Sequence, residues 1–215
     1  MLWALARHEE RHGAAPPRVR EAAEVLRAYL VRSWRRPCSD WWEEREGLHA
    51  VTLACIAAGL RAAGEGEAER VEAAIRSDAD LRLDASLLAA SAPLEVLAPD
   101  EVPLAEIERR LVSPGGGVHR HPGDTYYGGG EWLLLTAFLG LHELRLGRVE
   151  AARSRLDWIA AHATPEGALP EQSQDHLLHP ERYDEWVERW GPPPSPLLWS
   201  HAMFLLLALA LEEAA

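Results

Sequence analysis

Hydrophobic and polar positions along the chain recur with helical spacing, and they do so in two ways. In the first, apolar residues keep to one side. Val19, Ala22, Leu26, Leu30 and Trp34 mark one face of 17–34, and Val71 and Ile75 one face of 66–78. Leu104, Ile107 and Leu111 do the same in 102–112, as do Val149, Ala152, Leu156 and Ile159 in 148–163. Such helices keep one wet side. In the second way, whole stretches are apolar nearly all round: 48–62, the short 84–92, 131–145 and 197–211, with the opening LWALA as the end of another. These predict helices buried on most sides. The period-two alternation of strands is nearly absent.

The two kinds alternate. That order predicts an all-α fold of two concentric layers, apolar helices inside and amphipathic ones outside. Links from apolar to amphipathic stretches are short and marked by glycine, at Ala63-Gly64-Glu65-Gly66 and at Gly147. Links in the other direction are mostly long: 35–47, 113–130 and 164–196. In an alternating toroid the long links all emerge at one end, at the N-termini of the inner helices. Long links in a compact domain are usually functional, so the chemistry is expected there. A solenoid of helical hairpins would need a fixed repeat period, and these links vary too much in length.

Composition narrows the picture. A chain of 215 residues is long enough for one domain with a real core, taken here as 1–215. A formal net charge of -12 repels nucleic acid, and no basic patch is interleaved with aromatics. Cys38 and Cys55 make no disulfide framework, so a reducing, cytoplasmic location is expected. The start MLWALARHEE reaches charge too soon for a secretory signal core. The longest apolar run, AMFLLLALAL, is too short to span a bilayer, so no membrane partner is expected. Nine tryptophans against two phenylalanines stand out, although any single Trp is more often core than ligand platform.

Each long link carries candidate chemistry. In CSDWWEEREGLH, from Cys38 to His49, Glu43 and Glu44 stand just before an apolar stretch. They read as an acidic helix entrance favourable to the dipole, with Glu46 adding to it. They also read as half of an active site, because a carboxyl pressed against Trp42 is desolvated and suited to general-acid work. The second link, SPGGGVHRHPGDTYYGGGEW, offers Arg120 and Asp124 to fix hydroxyls of a ligand, and Tyr126 and Tyr127 to pack or stack. An internal Arg120–Asp124 bridge is an equally weighted reading. Its glycines permit close backbone approach, but no Lys-Ser/Thr follows them, so it is not a phosphate loop. The third link contributes Glu171, beside Gln172. Ten histidines are scattered without an HExxH-type pair, and no GxSxG elbow exists, so neither a metal centre nor a serine nucleophile is expected.

The ordered set DWWEE (40–44), LDASLL (83–88), HRHPGDTYYGGGEW (119–132), GALPEQ (167–172) and WSHAMFLLLAL (199–209) resembles glycoside hydrolase family 15, which includes glucoamylases, glucodextranases and some bacterial trehalases. The resemblance runs over nearly the whole chain. It implies an (α/α)6 toroid and inverting hydrolysis of terminal α-glucosidic bonds, on an oligosaccharide or disaccharide with α-linked glucose and without a cofactor. Glu43 takes the general-acid position, and Glu44 the neighbour that contacts substrate. Glu171 takes the general-base position. Arg120 resembles the arginine that binds sugar hydroxyls, and Trp42 and Trp132 the aromatic walls of the pocket. An inverting pair of this kind stands roughly 6.5–9.5 Å apart.

The chain departs from the family at His121 and Gly123, and at Gly130-Glu131. These changes bear on sugar specificity more than on the carboxylate pair. A larger departure is the start. About nine helical stretches are legible, and the chain opens inside an inner helix at LWALARHEERHG, so the family's first helices are expected to be absent. An incomplete toroid would expose apolar surface to a second chain or an oligomer. Its hydrolytic activity would be weak or absent. The competing expectation is a non-catalytic helical toroid that binds carbohydrate or protein. The retained carboxylates at positions 43 and 171 favour the enzyme.

Overall fold

The computed structural model describes residues 1–79 and 82–214. These residues form ten α-helices and four strands of two residues each, so the all-α expectation holds. The chain divides into two compact units. The first is Met1–Arg82 with Leu94–Leu97; the second is Leu83–Pro93 with Ala98–Ala215. No helix among the described residues is long and apolar enough to cross a membrane.

The first unit holds α1 (Leu2–His12), α2 (Pro17–Ser33), the hairpin of β1 (Cys38–Ser39) and β2 (Glu46–Gly47), α3 (Ala50–Ala62) and α4 (Glu67–Ser77). Its core is α3, which buries Val51, Leu53, Ala54, Ala57, Ala58 and Leu60. Helix α4 lays Ala68, Val71, Ala74 and Ile75 on it and keeps its acidic side in water, as the periodicity predicts. Trp34, just past α2, is buried, and its indole N–H donates to Glu67 at 2.9 Å, joining α2 to the start of α4. The predicted face of α2 is only partly covered: Leu26 and Leu30 are half-buried, while Val19 and Ala22 are exposed.

The second unit begins with a tight turn, Ala85–Leu87, leading into α5 (Leu88–Ser91). The predicted helix over 84–92 is therefore a single turn, fully buried. The Asp84 carboxylate starts it by accepting the Ser86 N–H at 2.8 Å. Helix α6 (Leu104–Leu111) buries Leu104, Ile107 and Leu111, the stripe read from sequence. Helix α7 (Leu133–Arg145) is the core: every side chain from Leu133 to Glu143 is buried. It packs against α8 (Val149–Ala161) and α10 (Leu198–Glu213). Gly140 permits the α7–α10 approach, since a Cβ there would stand 2.8 Å from the Leu207 side chain. An ion pair at 3.0 Å from half-buried Arg155 to buried Glu143 ties α8 to α7.

The 164–196 link contains a helix of its own, α9 (Tyr183–Trp190). One expectation fails here: helix α10 is not buried on most sides. One side packs on α7 and α8, but Leu198, Leu205 and Leu209 are exposed at 82%, 58% and 48%. Uniform apolarity in the sequence hides which side has neighbours.

Candidate active site

In the second unit the 113–130 and 164–196 links converge around a small antiparallel ladder. Strand β3 (Glu131–Trp132) pairs with β4 (Gln172–Ser173), with Glu131 opposite Ser173 and Trp132 opposite Gln172. Gly130 allows this contact: a Cβ there would lie 2.4 Å from Gln172 Oε1 and from the Ser173 carbonyl. Its N–H instead donates to Gln172 Oε1 at 2.9 Å. Gly128 and Gly129 make backbone bonds to His179 and Leu178. Buried His119 steadies the turn from within, with Nδ1 donating to the Gly129 carbonyl at 3.0 Å.

Glu171 is the residue before β4, and it is buried. Burial pushes its carboxyl above the usual range, and nearby Asp124 adds to that. The nearby Tyr126 hydroxyl, the charge of Arg120 and Gln172 oppose the rise without cancelling it. Glu171 Oε2 is buried and has no hydrogen-bond partner among the described residues. A carboxylate with raised proton affinity and a vacant lone pair is what a general base needs. Burial, and then the Glu171 charge, also drive the Tyr126 hydroxyl well above its ordinary value, so it stays protonated as a donor.

Arg120 and Asp124 form the internal bridge that the sequence left as one of two readings. Both are buried, with Arg120 Nε donating to Asp124 Oδ2 at 2.8 Å and Nη2 to Oδ1. Asp124 also accepts the Tyr126 N–H at 2.9 Å, which fixes that ring. The guanidinium lies 5.1 Å from the Tyr126 ring and 5.5 Å from Trp132. The two readings do not compete: a clamped guanidinium is a rigid donor. Arg120, Asp124, Tyr126, Trp132 and Glu171 thus form one cluster.

Sequence reasoning missed Trp186 and the supporting role of Glu131. Trp186 of α9 packs edge-on against Tyr126 at 4.9 Å, and Tyr127 donates its hydroxyl to the Gly191 carbonyl at 2.9 Å, closing α9 onto the cluster. The signal was present, since Tyr183, Trp186, Val187 and Trp190 follow helical spacing. Glu131 is fully buried, bonded to the Ser113 hydroxyl and within 3.4 Å of His176. It pins β3 to the 113–118 turn.

Trp42, Glu43 and Glu44 belong to the first unit. They form the tip of the β1–β2 hairpin, and the organiser is Asp40, which sequence reasoning gave no role. Its carboxylate accepts the N–H groups of Trp42 at 3.2 Å and Glu44 at 2.9 Å, and pairs with Arg45 at 3.3 Å. Burial alone would raise its proton affinity; the Glu44 N–H and Arg45 win and hold it below the ordinary value. Buried His49 seats the hairpin on α3, its Nε2 within 3.2 Å of the Cys38 carbonyl and 3.1 Å of the Arg45 carbonyl. Two expectations are corrected. Glu43 is exposed and not desolvated against Trp42, because the turn aims residues 43 and 44 outward. Nor do Glu44 and Glu46 lie in the first turn of α3, which has no acidic residue. Glu43 does carry a left-handed backbone, with φ 58°, a conformation that costs a non-glycine residue about 1–3 kcal/mol and clusters at functional sites.

No family model matches the chain. It is 41% identical to the isomaltose glucohydrolase of Kribbella flavida, over 96% of its own length and 61% of the relative's. A solved glycosidase variant in complex with glucose is 37% identical and superposes with a TM-score of 0.91, covering 98% of this chain and 65% of that one. A glycoside hydrolase family 15 glucoamylase from Hypocrea jecorina superposes with a TM-score of 0.60 at 14% identity, over 88% of this chain and 46% of its own; that likeness is one of fold alone. The chain spans about three fifths of the curated relative's length. It has an all-α, glucoamylase-type fold like that of glycoside hydrolase family 15, and its sequence relatives are glycosidases.

Proposed function

We propose that the chain carries the catalytic machinery for inverting hydrolysis of terminal α-glucosidic bonds, with isomaltose-like disaccharides and short gluco-oligosaccharides as substrate class. The observation that carries this reading is Glu171: a buried carboxylate with raised proton affinity, a vacant oxygen, and a clamped arginine and two aromatic rings beside it. In this role Glu171 takes a proton from water, which attacks the anomeric carbon. The proton leaves on the carboxylate, and the new C–O bond forms as the glycosidic bond breaks. The leaving oxygen must receive a proton from a second group. Glu43 is assigned to that step by its place in the DWWEE motif and by its strained backbone. Arg120 grips sugar hydroxyls, and Trp42, Glu44 and Trp132 contact the sugar. The bare stripe of α10 is read as surface that a further segment or a second chain covers, without which turnover is weak.

The test is a pair of substitutions read on two substrates. Glu43→Gln should lose isomaltose hydrolysis but keep activity on α-glucosyl fluoride, whose leaving group needs no proton. Glu171→Gln should lose both. Unchanged turnover in Glu171→Gln would end the proposal.

A further inference from the structure

Consecutive residues in the first turn of α10 hold the backbone that carries Glu171. Leu169 donates its N–H to His201 Nε2 at 2.9 Å. Ser200 Oγ donates to the Pro170 carbonyl at 2.8 Å. Leu197, at the cap of the same helix, donates to the Leu169 carbonyl at 2.8 Å, and the Glu171 N–H reaches the Pro194 carbonyl at 2.9 Å. From the other side Leu133 donates to the Glu171 carbonyl at 3.3 Å. Pro170 has no N–H. Every backbone donor and acceptor from Leu169 to Glu171 therefore has a partner, and two of those partners are side chains.

We infer that Ser200 and His201 are positioning residues for the hydrolysis, setting the place and direction of the Glu171 carboxylate without touching the sugar. The inference rests on the reading of Glu171 as the base. Two side-chain bonds, made at successive residues from one rigid helix end, add to the backbone bonds and narrow the freedom of the segment to pivot. Ser200 is 1% exposed, so its hydroxyl has no competing water. To accept the Leu169 N–H, His201 Nε2 must present its lone pair. The need for such a clamp is geometric. A base must be held to about 0.5 Å, and a misplacement of about 1 Å costs roughly a hundredfold in rate.

The test uses the full chain with Ser200→Ala, His201→Phe and His201→Gln. Positioning predicts that Ser200→Ala and His201→Phe lower kcat on isomaltose about tenfold to a hundredfold, with KM within about twofold. His201→Gln, whose side-chain carbonyl can accept the Leu169 N–H, should recover most of the loss. A readout independent of turnover is the ¹³C titration of the Glu171 carboxyl, assigned by its disappearance in Glu171→Gln. Its midpoint should fall toward the ordinary carboxylate range in Ser200→Ala and His201→Phe, and return in His201→Gln. A native Glu171 titration in all three variants would overturn the inference, as would a loss confined to KM. If Glu171→Gln retains activity, the base assignment itself fails, and that outcome is separate from any result at Ser200 or His201.

Discussion

Tyr126 stands beside Glu171 and its hydroxyl lowers the proton affinity of the carboxyl, while Glu171 Oε2 stays buried without a hydrogen-bond partner among the described residues. The Tyr126 hydroxyl favours the charged carboxylate, opposing burial. Tyr126→Phe removes it, so Glu171 should titrate still higher than in the native chain. Carboxyl ¹³C NMR checks the direction.

Glu171 also sets a term in stability. Its folded proton affinity is raised, so between the ordinary carboxylate range and the raised value the folded state holds more protons than the unfolded state. Stability then falls as pH rises through that window, and the penalty persists at neutral pH. Glu171→Gln should therefore raise Tm at pH 7, by about 2–4 °C for each kcal/mol released. The gain should vanish below the carboxylate range, where both states are protonated. Thermal melts at pH 7 and pH 3 test the sign.

The Arg120–Asp124 pair is buried at both ends, so neutralising Asp124 takes a directly bonded counter-charge from a buried guanidinium. Asp124→Asn should cost about 3–5 kcal/mol. The double replacement Arg120→Met with Asp124→Leu should cost less than Asp124→Asn alone, because the buried guanidinium leaves together with its counter-charge. Urea denaturation of the three chains measures both statements.

The sequence showed much of this cluster and little of its support. Helical periodicity found α4, α6, α7 and α8 because each has one clear buried side or is buried all round. It failed on α10, where apolar residues face both protein and solvent, and on α9, whose four-residue stripe was hidden in a proline-rich link. Glu171, Arg120, Asp124, Tyr126 and Trp132 were legible as a motif set. The burial that raises Glu171 was not, since it arises only on folding, when segments distant in sequence such as β3 and β4 meet. The expectation that Trp42 desolvates Glu43 erred for a similar reason. Adjacency to Trp42 in sequence is not contact, and the Asp40-centred turn carries its carboxyl into solvent.

His142 on α7 is fully buried, and neither ring nitrogen has a hydrogen-bond partner among the described residues. Burial, with Arg145 and Arg148 nearby, pushes its pKa down to about 4 from 6.5. The unfolded state binds the proton first as pH falls, so stability present above pH 6.5 is lost progressively down to about 4. The loss amounts to roughly 3 kcal/mol at most. His142→Leu should flatten the acid limb of the stability profile between those values while changing stability less at pH 8. Chemical denaturation across pH 4–8 gives the comparison.

The measurement that bears most directly on Glu171 as a base that activates water is the anomeric form of the first glucose released. Isomaltose incubated with a high concentration of the chain, and followed by ¹H NMR before mutarotation, should give β-glucose, and the signal should disappear in Glu171→Gln. Release of α-glucose, equal release by Glu171→Gln, or no release at any enzyme concentration would contradict the account.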